Sequence, residues 1–101
     1  MTLPTPIYMG QLGPAKAGDS EDFYLDIAAD LATGETIANV DFTVTDAEGA
    51  TVAGVVGAHT ETDTRTDFRI TAPAAGMYTI TAEFTSSSGE VLTRTADLWV
   101  V

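Results

Sequence analysis

Gly76-Met77-Tyr78-Thr79-Ile80-Thr81-Ala82-Glu83-Phe84-Thr85 is the stretch that decides the fold class. Tyr78, Ile80, Ala82 and Phe84 alternate with Thr79, Thr81, Glu83 and Thr85. Successive side chains of a strand point to opposite faces, so this run predicts one buried face and one wet face. Threonine suits the wet face, because its β-branch favours extended backbone and its hydroxyl is solvated. Tyr78 also follows the turn Pro73-Ala74-Ala75-Gly76 and opens the penultimate strand. Ig-like domains carry a tyrosine corner there, with the phenol hydroxyl tied to upstream backbone.

The same period recurs along the chain. Phe23, Leu25 and Ile27, then Val40, Phe42 and Val44, then Phe68 and Ile70, each alternate with polar or small residues. Asp46-Ala47-Glu48-Gly49 and Ser86-Ser87-Ser88-Gly89 punctuate these runs as glycine-ended turns. The pattern predicts strands over 6–10, 22–28, 37–46, 51–57, 65–72, 77–85 and 90–100. Ala28-Ala29-Asp30-Leu31-Ala32 is the one stretch able to wind into a helical turn, and Gly34 stops it. Short strands with no room for crossover helices predict an all-β fold, a single Ig-like antiparallel β-sandwich.

Two ends of the chain are less regular. Pro4, Pro6 and Pro14 with Gly10, Gly13 and Gly18 set residues 1–18 apart as an extended arm or an edge strand, before a sandwich over 19–101. In the last strand Leu92, Ala96, Leu98 and Val100 share a face with Arg94, while Val91, Trp99 and Val101 take the other. Either a bulge switches the faces or both ends are covered. Ile7, Tyr8 and Met9 of the arm and Trp99, Val100 and Val101 of the C-terminus are the expected protein contacts.

The 101 residues include 15 acidic and 4 basic side chains, a net charge of −11. Such a body repels phosphate backbones, so nucleic acid is not an expected partner. There is no cysteine, which suits folding in a reducing cytosol and leaves the sheets to be joined by packing. The first residues lack the basic and apolar regions of a signal peptide, and no apolar run reaches the roughly 18 residues of a membrane span. A soluble cytosolic product is therefore expected.

Catalytic chemistry finds little to work with. Without cysteine there is no thiolate, zinc cluster or iron–sulfur site. His59 is the only histidine and reads as an exposed loop residue. Asp19, Glu21, Asp22, Asp26 and Asp30 form an acidic cluster of the kind calcium favours, but not with the spacing of a known calcium loop. No catalytic, cofactor or metal residues are assigned. Arg65 lies among Asp63 and Asp67, while Arg69 and Arg94 fall on strands from which they could reach acidic neighbours.

One arrangement of residues points further. Asp22-Phe23-Tyr24-Leu25-Asp26-Ile27, Leu31, Gly34-Glu35-Thr36-Ile37 and Phe42-Thr43-Val44 resemble the motif of small Ig-like virion proteins of tailed phages, the phage fibre–tail adaptors. That family joins an aromatic/aspartate strand to a leucine, a Gly-Glu/Asp-Thr-Ile turn and an aromatic-Thr-Val strand. Gly76-x-Tyr78-x-Ile80 also fits, and the resemblance spans residues 20–101. It implies a non-enzymatic virion protein joining tail fibres to the tail or neck. Tail, neck or fibre subunits are then its partners, in several copies of a symmetric assembly. A capsid decoration protein is an alternative, as is a carbohydrate-binding module using Tyr8, Tyr24 or Trp99 as an aromatic platform.

Overall fold

A computed structural model describes residues 7–101, excepting the side chains of Ile7, Tyr8, Met9 and Gln11. Its strands are β1 (Ile7–Ala15), β2 (Ser20–Asp26), β3 (Ile37–Asp46), β4 (Val56–Thr62), β5 (Arg65–Thr71), β6 (Gly76–Ser86) and β7 (Val91–Val100). A single 3-10 turn, Ala28–Asp30, falls in the stretch expected to wind. The strands form two sheets ordered β1-β7-β6-β3 and β2-β5-β4. All neighbours are antiparallel except β1, which runs parallel to β7. The fold is the all-β sandwich that the alternating runs predict.

Side chains from both sheets meet in an interior of two clusters, against both of which Phe42 packs. Val44, Val55, Ile70, Tyr78, Ile80, Leu98 and Val100 fill one end, and Ile27, Val40, Ala82 and Phe84 fill the other. Phe84 is fully buried, a position worth about 1.5–3 kcal/mol relative to exposure. Antibody domains place a cysteine two residues after the corner tyrosine and link it to the opposite sheet. Ile80 holds that position, packed in the cluster that Phe23, Phe42 and Phe68 join. Phe68 stacks on Phe23 at 6.1 Å and meets Phe42 at 4.8 Å with a 43° tilt, centroid to centroid, so three packed rings fill the space. The Tyr78 hydroxyl donates to the Ala74 carbonyl at 2.6 Å, which completes the tyrosine corner.

β7 has no bulge, since it pairs residue for residue with β6 from Gly76↔Val100 to Thr85↔Val91. Arg94 therefore points inward with its apolar neighbours and is only 4% exposed. Its Nη2 meets Asp30 Oδ2 at 2.6 Å, and its Nη1 donates to the Thr93 carbonyl at 3.1 Å. The Asp30 contact is short but poorly directed, so it acts as an ion pair rather than an aligned hydrogen bond. It ties β7 to the turn that follows β2, one sheet to the other. Arg69 does reach an acidic neighbour within its own sheet, pairing with Asp22 at 3.1 Å.

Three expectations are corrected. The strand expected over 51–57 lies instead at Val56–Thr62, and Thr51 makes only an isolated bridge to Thr45. The backbone turns at Gly54, whose φ is +79°, so Val52 and Val55 serve the interior from a loop. His59 consequently sits on β4 and not in a loop. It is half-buried, with its ring edge-on to Phe42 and Nδ1 2.7 Å from Glu61 Oε2. The strand expected over 6–10 runs on to Ala15 and lies along β7 as a sheet edge.

Removing one partner from a buried ion pair costs more than replacing the charge with an apolar side chain. Asp30→Ala should lower stability by about 1–3 kcal/mol, a value discounted for the exposure of the carboxylate. Arg94→Met should stay within about 1 kcal/mol of the parent. Urea denaturation of the two variants measures the difference, and an equal cost for both would remove the pair from the account.

Candidate interaction surface

The positions expected to make contacts do not converge. In backbone register Ile7 pairs with Arg94 and Tyr8 with Thr95, whereas Ala15 pairs with Val100. The arm residues and the C-terminal residues thus occupy opposite ends of the β1–β7 pair. The side chains of Ile7, Tyr8 and Met9 lie outside the described residues. Val100 is 1% exposed and belongs to the interior. Trp99 and Val101 remain on the outer face, where Met77 is the direct cross-strand neighbour of Trp99. Met77, Trp99 and Val101 form an exposed apolar patch at one end of the four-stranded sheet. The alternation of β7 carries this division, because residues 99 and 101 share a face that residue 100 does not.

The outer face of the other sheet is polar and tightly paired. Tyr24 on β2 is 62% exposed, and the Arg65 guanidinium stands 4.1 Å above its ring centroid. Arg65 also donates from Nη2 to Asp67 Oδ1 at 2.7 Å and from Nε at 3.1 Å. That hydrogen bond raises the Arg65 pKa above its usual value, so the group is a fixed cation. Beside it Arg69 donates to Asp22. Tyr24 and Trp99 stand on different sheets, so they do not share one aromatic platform.

The acidic cluster is dispersed among partners within the chain. An Asp19 carboxylate oxygen accepts from the Lys16 backbone N–H at 3.2 Å, and Asp22 is held by Arg69. Asp26 Oδ1 accepts from the Ala28 N–H at 2.9 Å at the start of the 3-10 turn, and Asp30 is held by Arg94. Among the described residues no three metal-ligating side chains gather, and no helix is long and apolar enough to cross a membrane.

β2 closes the smaller sheet as an edge, with β5 on its inner side. Behind it the sandwich opens into a cleft of about 200 Å³ that includes Leu12 of β1, Phe23 and Leu25 of β2, Phe42 and Ile80. A second cleft of about 440 Å³ continues along Leu12–Ala15 and Asp19–Glu21.

The chain matches the family described as podophage GP4 fiber-tail adaptor protein gp77 over residues 16–99. It belongs to this family. The match starts just after β1 and takes in β2 to β6 and nearly all of β7. Among curated proteins no match is found. Of the residues on which the resemblance rests, Asp22–Asp26 lie in β2 and Gly76–Ile80 open β6.

The two C-terminal valines separate surface from interior. Val100→Ala should cost about 2 kcal/mol, as truncation of a buried aliphatic side chain does. Val101→Ser should stay within about 0.5 kcal/mol. Thermal unfolding of both variants checks the assignment, and the reverse order would contradict it.

Proposed function

We propose that the chain is a non-enzymatic structural protein of a phage virion, an adaptor that joins tail fibres to the tail. The observation that carries this reading is the extent of the family match, which spans six of the seven strands. A cysteine-free sandwich whose lone histidine is engaged with Glu61 and Phe42 offers binding surfaces rather than reacting groups. Its partners are other virion proteins that present basic or apolar surface to a body of charge −11. Nucleic acid is disfavoured by the same charge. Several copies arranged around a symmetric tail suit a small rigid domain of this kind.

Particles assembled without this chain test the reading. They should carry intact tails that lack fibres, and the purified chain added back should restore fibre attachment. Fibres retained in its absence would overturn the adaptor role, and unstable heads would favour decoration of the capsid instead. The single tryptophan offers a second readout, because docking over Met77, Trp99 and Val101 should shift its emission to the blue.

A further inference from the structure

Sheet edges are templates for further strands, and proteins commonly blunt them with bulges. Three of the four edge strands are treated this way. Register shifts interrupt β1 between Tyr8 and Gln11 and again between Leu12 and Ala15. They interrupt β3 between Ile37 and Asn39, and β4 between Val56 and His59. β2 is different, since it pairs with β5 without interruption from Ser20↔Thr71 to Asp26↔Arg65.

The hydrogen-bonding pattern of β2 can be assigned from its two ends. The Ala72 N–H donates to the Asp19 carbonyl, and the Ile27 N–H donates to the Thr64 carbonyl. Antiparallel ladders alternate, so odd-numbered residues between them bond toward β5. Ser20, Asp22, Tyr24 and Asp26 therefore direct their N–H and C=O groups away from the sheet. Among the described residues none of these outward groups has a backbone partner. In the Ig arrangement the first strand covers this edge. Here β1 lies along β7 in the opposite sheet.

Charge and shape select what can add there. The seven residues of β2 carry Glu21, Asp22 and Asp26 and no basic side chain. A second β2 paired antiparallel about Tyr24 would set Asp22 opposite Asp26, like charge against like. In any register two β2 strands would bring six carboxylates together with no basic residue in either, which disfavours self-pairing. Arg69 and Arg65 lie opposite Asp22 and Asp26 on β5, but Glu21, Asp22, Asp26 and Asp67 outnumber them, so a basic strand is favoured over an acidic one. The apolar cleft behind the edge, with Leu12, Phe23 and Leu25 in its walls, receives the inward side chains of such a strand. We propose that the β2 edge docks an extended segment of another virion protein, which adds as a fourth strand of β2-β5-β4. That segment alternates apolar residues, turned into the cleft, with lysine or arginine facing Asp22 and Asp26. This deepens the adaptor reading and rests on it.

A seven-residue peptide alternating valine with lysine, the length of β2, is the probe. NMR titration should move the amide signals of Ser20, Asp22, Tyr24 and Asp26. A valine–glutamate peptide, and a peptide of the same composition with its lysines in one block, should each bind at least about tenfold more weakly. Tyr24→Pro removes an outward N–H without touching the β5 ladder, and should weaken binding by at least about tenfold while unfolding stays cooperative. If proline disturbs the fold, Asp22→Lys with Asp26→Lys should reverse the preference toward the glutamate peptide. Equal binding of the alternating and blocked peptides, or no movement of those amides, overturns the proposal. In reconstituted particles the parent chain should restore fibres and Tyr24→Pro should not. Restoration by both leaves the adaptor role standing and removes the β2 edge from it, whereas failure of the parent chain removes the adaptor role itself.

Discussion

The pairing of β1 with β7 is the constraint on which the rest of the structure depends. It divides seven strands into four and three, and it leaves the outer side of β2 without a neighbour among the described residues. The contact is close. A Cβ placed on Gly13 would lie 2.5 Å from the Trp99 carbonyl oxygen, and the φ of +96° there suits glycine. At the end of the pair the Val101 N–H donates to the Ala15 carbonyl at 2.7 Å. Leu12 and Ala15 then pack onto the main core cluster from the side of the larger sheet. The first strand is thus part of the sandwich, and the edge it would otherwise cover has no neighbouring strand among the described residues.

The two sheets hold together without a disulfide through three kinds of contact. The packed rings of Phe23, Phe68 and Phe42 fill the centre. The Tyr78–Ala74 bond fixes the turn before β6. The Arg94–Asp30 pair joins β7 to the turn after β2. The last of these makes Asp30 structural, whereas Asp22 and Asp26 each engage Arg69 or the start of the 3-10 turn through Oδ1 alone. A surface rich in carboxylates therefore functions as an array of local partners and as a source of negative field.

Much of this was legible in the sequence, and the failures share a physical cause. Residues 76–85 and 37–46 alternate cleanly because one side of each strand is buried and the other is wet, so local period and tertiary environment agree. The β4 region misled because burial there is set by distant residues. His59 is half-buried by Phe42 from the other sheet, and Val55 reaches the core from a loop. Arg94 broke the pattern of β7 for the same reason, since its partner Asp30 lies far away in sequence. Nothing local announces that Ile7–Ala15 will choose β7 over β2, and the bare β2 edge follows from that choice. The Met77–Trp99 pairing was equally hidden, although the position of Trp99 on the outer face follows from alternation alone.

An adaptor must hold two partners at once, and the sandwich offers two chemically distinct surfaces on different sheets. One is the apolar patch of Met77, Trp99 and Val101, and the other is the acidic, unbulged β2 edge. An electron-microscopy reconstruction of the fibre–tail junction, resolved to the level of individual strands, tests this most directly. A strand from a different virion protein should be hydrogen-bonded to β2 and continue the β2-β5-β4 sheet. A reconstruction in which β2 faces solvent in every copy while the fibres remain attached would contradict it.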